Sequence, residues 1–320
     1  MGTEVKLQKL DELYGATKRF CSCREFIKML EYCRRMRYLT PYNAALAWLQ
    51  KPDARIMLSA KKWTTYDRVI RDEAKPALIL LPFSPIDFVF DIDDTAPLNN
   101  PLWSSDDDLL AHIRHQLIPK GNDINRVQWD NLSFNMALYG ILEEKNENAD
   151  RKVSVLLNKD KRSTKYKALY VIPDSGKQRD NNKAHNLFRD ISHLLCHHIP
   201  APDGKEWAAR RLTETARAFE SETVSKLVCD HIGIKCCADE YLAVYANCNE
   251  SVPKGVNPDY VLAAAAEIIQ MLQGKIQPEK SLLFKFSKEF ERAVISRKKR
   301  TTRQRKTEAE EKPYPTLPFE

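Results

Sequence analysis

No apolar run in the 320-residue chain approaches the roughly 20 residues that a membrane-crossing helix needs, so no membrane partner is expected. The opening MGTEVKLQKLDEL lacks the apolar stretch of a secretory signal, and Lys6 stands where a myristoylation motif has Ser or Thr. The expectation is a cytoplasmic protein. Its eight Cys are then reduced thiols rather than a disulfide framework. Cys21-x-Cys23 and Cys236-Cys237 lack the C-x-x-C spacing of a zinc cage, which leaves a Cys229, His231, Cys236 cluster or buried structural thiols. An internal repeat is also missing, which excludes solenoids.

Missing too is a basic body. The formal net charge is +7, but SRKKRTTRQRK, Ser296 to Lys306, carries seven basic residues and no acid, so the rest of the chain is neutral. Global charge therefore gives no argument that the folded part binds nucleic acid; the tail binds phosphate or is a solvated end.

Apolar Phe26, Met29, Leu30, Cys33 and Met36 recur at helical spacing, and Pro41 opens a second helix, YNAALAWLQ. ARIML, ALILLP and FVFDI read as strands around a Ser-capped helical turn, SAKKW. After the Pro/Asn-rich DTAPLNNP, Ser105 and three Asp open a helix to Leu117. A helix over Asp130 to Glu144, strands VSVLL and ALYVIPD, and helices over Lys183 to His198, Glu206 to Ile232, Asp239 to Ala246 and Pro258 to Gln273 follow. The class is α+β: a small N-terminal α+β domain over 1–97, a mainly helical domain over 98–292 and a basic tail over 293–320.

FRDISHLLCHH, Phe188 to His198, resembles a zinc-protease helix without its chemistry. Such a helix needs His-Glu-x-x-His, because two His at i and i+4 share a face and the Glu activates the metal-bound water. Arg189 and Asp190 stand at the first His and the Glu, with His193 at the second His. A guanidinium neither loses its proton nor ligates a cation. His193 and His197, also at i and i+4, make three ligands with Glu222 of the next helix, but that puts Leu194 at the general-base position. Asp190, His193 and Glu222 together suit a harder ion. The competing reading is structural, with Arg189 paired to Glu220 or Glu222. No cofactor is expected, with zinc as the alternative.

The run from RYLTPYNAALAWLQKPDARIML to VFDIDDT resembles the N-terminal domain of ArdC-type antirestriction proteins, proteins of mobile genetic elements. Tyr42, Asn43, Gln50, Pro52, Ala54, Trp63, Pro82, Val89, Phe90, Asp91 and Thr95 fall in register. The second half is similar to that family's ImmA/IrrE-like metallopeptidase domain, which puts the third-ligand role on Glu222. The resemblance spans roughly residues 24–274 and implies single-stranded DNA binding beside a degenerate peptidase domain. Arg34, Arg35 and Arg37, Lys61 and Lys62 beside Trp63, and Arg68 and Arg71 are the candidate contacts: cations for phosphate, the indole for a base. RVIRDEAKP, where the family has a Gly-rich basic loop, has no Gly and includes Asp72 and Glu73. The alternatives are a working zinc peptidase with a rearranged ligand set, and a non-catalytic groove for a protein or peptide partner.

Overall fold

The computed structural model describes residues 22–81, 86–98, 103–118, 123–144, 154–155, 170–173, 179–200, 208–246 and 251–275. The basic tail expected over 293–320 lies outside these residues. The class is mixed α and β, with short strands and a mainly helical remainder. Among the described residues, no helix is long and apolar enough to cross a membrane.

Helix α1 (Cys23–Arg35) buries Phe26, Met29, Leu30 and Cys33, the face its helical spacing dictates. Helix α2 (Pro41–Gln50) starts with Pro at its first position, behind the cap Thr40. Strand β1 (Met57–Ser59) leads into the short α3 (Ala60–Thr64), whose first turn is closed by the Ser59 hydroxyl accepting from Lys62 N. Strands β2 (Arg68–Ile70), β3 (Ala77–Ile79), β4 (Asp87–Asp91) and β5 (Thr95–Pro97) follow. They form an antiparallel sheet in the order β1-β4-β3 and a separate β2-β5 ribbon.

Strand β3 is an edge, and α2 closes it with side-chain amides instead of another strand. Asn43 donates to Leu80 O at 2.8 Å and accepts from Leu80 N at 3.0 Å. Gln50 does the same at Leu78, at 2.9 and 2.8 Å. Asp91 accepts from the backbone of Arg55 and Ile56, and the Thr95 hydroxyl accepts from Arg68 Nε while donating to Ile92 O. Asn43, Gln50, Asp91 and Thr95, four of the residues that carry the family resemblance, thus satisfy backbone and arginine groups.

Helix α4 (Asp106–Leu117) is capped by Ser105, with three Asp in its first turn. Helix α5 (Arg126–Leu138) begins at a capping box of Asn125 and Gln128. The helix expected over Asp130 to Glu144 stops early. Gly140 takes a left-handed φ of 71°, and ILEE becomes strand β6 (Ile141–Glu144). It pairs in parallel with β8 (Tyr170–Pro173), which pairs antiparallel with β7 (Ser154–Val155).

Helices α6 (Asn181–Leu195), α7 (Glu214–Ile232), α8 (Ala238–Ala246) and α9 (Pro258–Gln273) complete the described chain. Helix α7 opens at Glu214, not Glu206, because Thr213 caps it by accepting from Ala216 N. Residues on both sides of the boundary expected at 97 share each core. A larger core joins Phe26, Met29 and Trp48 to Phe188, Phe219, Val228 and Ile268. A smaller one joins Ile56, Trp63 and Ile92 to Leu109 and Ile113 of α4.

Replacing Gln50 with Ala leaves the N–H and C=O of Leu78 in β3 without their partners, and replacing Asn43 does the same at Leu80, just beyond the strand. Urea unfolding is expected to show each variant destabilised by about 1–3 kcal/mol; unchanged midpoints would mean the clamps contribute nothing.

Candidate functional site

Helix α7 runs through the interior. Every residue from Phe219 to Asp230 is buried, including Glu220, Glu222, Lys226 and Asp230. A buried charge is tolerated only with a partner, so the partners of this helix fix the geometry around it. Helix α6 lies alongside. Leu187, Phe188, Ile191 and Leu194 pack inwards, Leu195 is half-buried, and Asp190 is buried with the apolar face.

Arg189 meets Glu222. Its Nη1 stands 3.4 Å from Glu222 Oε1, and its Nε 3.9 Å from Asp190 Oδ1. The other Glu222 oxygen lies 3.4 Å from Nε2 of His185, one helical turn before Arg189. Glu222 is therefore held between a guanidinium and an imidazole. The guanidinium is a fixed cation beside Glu222, and its charge opposes a divalent ion there.

His197 does not continue the α6 face. The helix ends in a Schellman turn: His198 N donates to His193 O at 2.9 Å, His197 N donates to Leu194 O at 3.1 Å, and His197 takes φ +55°. A left-handed non-glycine residue costs on the order of 1 kcal/mol. The turn sends the His197 ring against Tyr260, 5.2 Å between centroids, and folds His198 back onto His193.

From that fold-back runs a buried polar chain. His193 Nδ1 is 2.8 Å from His198 Nδ1, and His198 Nε2 is 2.6 Å from Glu220 Oε2. Arg210 donates to both oxygens of Glu220, at 2.8 and 2.9 Å, and Asn257 N donates to Oε1 at 2.7 Å. Burial pushes the Glu220 carboxyl up, but hydrogen bonds from His198, Arg210 and Asn257 outweigh it and hold it below the usual range. An ionised Glu220 only accepts, so His198 Nε2 donates to it. When His198 is neutral, its Nδ1 accepts from His193 Nδ1. His193 itself is pushed down to about 3, first by burial and then by His198, Arg189 and Arg217.

Two groups of three ligand atoms lie within 4.8 Å of one another among the described residues, and neither combines His193, His197 and Glu222. The first, Cys196, His198 and Glu220, is occupied by the Arg210 guanidinium and by hydrogen bonds that leave the carboxylate no open side. The second is His185, Cys229 and Cys236, all buried. Both Cys were visible in the sequence beside His231. In the structure His185, from another helix, supplies the nitrogen, and burial pushes His231 down to about 4. The signal missed was the spacing of His185 and Arg189, i and i+4 on one face.

The candidate nucleic-acid contacts divide by exposure. Arg35 and Lys61 are exposed, with Arg35 also over the Tyr32 ring, and Lys62 sits over Tyr66. Arg34 is exposed at 3.8 Å from Asp230, and Arg37 donates to Asp230 O. Arg71 is exposed and donates through Nε to Thr95 O. Arg68 is buried on Thr95 and Asp106. Trp63 is fully buried, its indole donating to Phe90 O at 2.9 Å, so its faces are covered by core and not open to a base. The succession of Lys61, Lys62 and Trp63 suggests a stacking platform, but α3 turns the indole inwards because it is the largest side chain of the smaller core.

No family model and no curated protein matches the chain. Two crystal structures of the antirestriction ArdC protein from the R388 plasmid are similar at 11% identity over 73% of this chain. The metal-free one is covered over 85% of its length with a TM-score of 0.34, and the Mn(II)-bound one over 83% with a TM-score of 0.33.

His193 sets a pH dependence. Its folded pKa lies below its ordinary 6.5, so the unfolded chain takes the proton first. The stability it contributes is complete above about pH 6.5 and drains away as pH falls towards 3. Urea midpoints between pH 7 and 5 are expected to fall more steeply in the wild type than in His193→Gln; parallel profiles would contradict this. Arg210→Met strands the Glu220 carboxylate and is expected to cost about 3–5 kcal/mol, part of it recovered by adding Glu220→Gln.

Proposed function

We propose that the chain is a single-stranded-DNA-binding protein of the ArdC-like antirestriction type whose peptidase-like domain does not hydrolyse peptides. The observation that carries the second half is the Arg189–Glu222 pair at 3.4 Å. Zinc hydrolysis needs a third protein ligand and a carboxylate free to take a proton from the bound water. Here the carboxylate in the third-ligand position faces a guanidinium. Asp190, in the place of the general base, is buried beside Arg189.

The first half rests on the in-register N-terminal motif and on exposed cations. Arg35 and Lys61 present charge to solvent on the N-terminal elements, as a phosphate backbone requires. Base stacking by Trp63 is not part of this reading, because the ring is enclosed.

Labelled single-stranded DNA titrated with the full chain, and with a chain cut after Ser296, is expected to bind in both cases with strong salt dependence. Arg35→Glu with Lys61→Glu is expected to weaken binding at least about tenfold and to flatten the salt slope by ~1.4, at ~0.7 for each phosphate no longer neutralised. Absence of binding by the truncated chain at low salt would remove the DNA-binding reading. Hydrolysis of a peptide library by the metal-supplemented protein, abolished by His193→Ala, would remove the non-hydrolytic one.

A further inference from the structure

We propose that His185, Cys229 and Cys236 hold a structural zinc ion that ties α6 to the C-terminal end of α7. Its three ligands are not among the protease-like positions, and the proposal does not rest on the functional reading above.

Three segments deliver the donors. His185 comes from the first half of α6 and Cys229 from the last turn of α7. Gly233 ends α7 with φ 84°, its N–H and that of Ile234 both donating to Cys229 O, and this reversal brings Cys236 back beside Cys229. Cys236 Sγ is 3.3 Å from His185 Nδ1, and all three donor atoms lie within 4.8 Å of one another. Tetrahedral zinc, with Zn–S near 2.3 Å and Zn–N near 2.0–2.1 Å, asks for about 3.6 Å between nitrogen and sulfur and about 3.8 Å between sulfurs. Adjustments of a few tenths of an ångström at His185 and Cys236 suffice for that pair.

The surroundings also suit a metal. The far nitrogen of His185 faces Glu222 Oε2 at 3.4 Å, and Arg189 holds Glu222 in place. A metal-bound imidazole characteristically has such a carboxylate behind it, which fixes the ring and keeps the proton on the far nitrogen. Ala238 N donates to Cys236 Sγ at 3.4 Å, a backbone bond that favours a thiolate there. Zinc displaces the protons of the two thiols on binding, and two thiolates neutralise its charge in the interior.

The Ser225 hydroxyl, 2.7 Å from His185 Nδ1 and 4.0 Å from Cys229 Sγ, lines the remaining side, where it or a water completes four-coordination. His185, Cys229 and Cys236 are at most 7% exposed, so no substrate reaches the ion and its role is structural. N and S donors select zinc over harder ions.

The test uses the full chain, reduced and stripped of metal, titrated with cobalt(II) and then zinc(II). One equivalent of cobalt is expected to give tetrahedral ligand-field bands with thiolate-to-cobalt charge transfer, bleached by one equivalent of zinc. Zinc is expected to protect two thiols from alkylation. Cys229→Ser and Cys236→Ser are expected to lose the charge-transfer band and His193→Ala to keep it. Glu222→Gln, which removes the charge behind the His185 imidazole and leaves all three ligands in place, is expected to weaken zinc affinity about 10–100-fold. Should the Cys variants fail to fold, the wild-type spectrum and alkylation pattern decide alone. Cobalt binding without a thiolate band, no binding at all, or binding lost in His193→Ala and kept in Cys236→Ser would each overturn the proposal.

Discussion

Helix α7 is buried on every side from Phe219 to Asp230 and carries four charges through the interior, and the rest of the structure is arranged around meeting them. Glu220 takes Arg210 and His198; Glu222 takes Arg189 and His185; Lys226 takes Asp230 and Asp239. Asp230 also draws in Arg34 of α1, and its carbonyl takes Arg37. Removing one partner from any of these pairs leaves an uncompensated ion in low dielectric, which costs more than the pair ever contributes to stability. The N-terminal helix is thus tied to the C-terminal half by the charges of a single helix as well as by apolar packing.

Within that frame, the departure from the zinc-protease pattern is coherent rather than a gap. Arg189 is a counter-charge to Glu222, and His193 is joined through His198 to Glu220 in a separate polar chain. Chemistry suited to a metal reappears one turn earlier on α6, at His185, with sulfur replacing carboxylate. Glu222 links the two places, pairing with Arg189 through one oxygen and backing His185 through the other.

Local signals in the sequence carry most of the elements. Thr40, Ser59, Ser105 and Asp180 cap the helices they precede, and the apolar faces of α1 and α6 follow their periodicity. What the sequence hides is long-range. Gly140 converts the end of an expected helix into a strand because β8, some thirty residues on, offers a parallel partner. Helix α7 has no polar face to read, since its acids point into the interior. The inward turn of Trp63, the left-handed His197 and the meeting of His185 with Cys229 and Cys236 depend on tertiary geometry that no spacing encodes. Asn43 and Gln50 were legible as a motif, but their work as substitutes for a neighbouring strand was not.

The most direct measurement is an anomalous-scattering map at the zinc edge from crystals of the zinc-loaded chain. One peak bounded by His185 Nδ1, Cys229 Sγ and Cys236 Sγ, with Arg189 still against Glu222, is the expected result. A peak ligated by His193 and Glu222, with the Arg189 guanidinium displaced from the carboxylate, would contradict it.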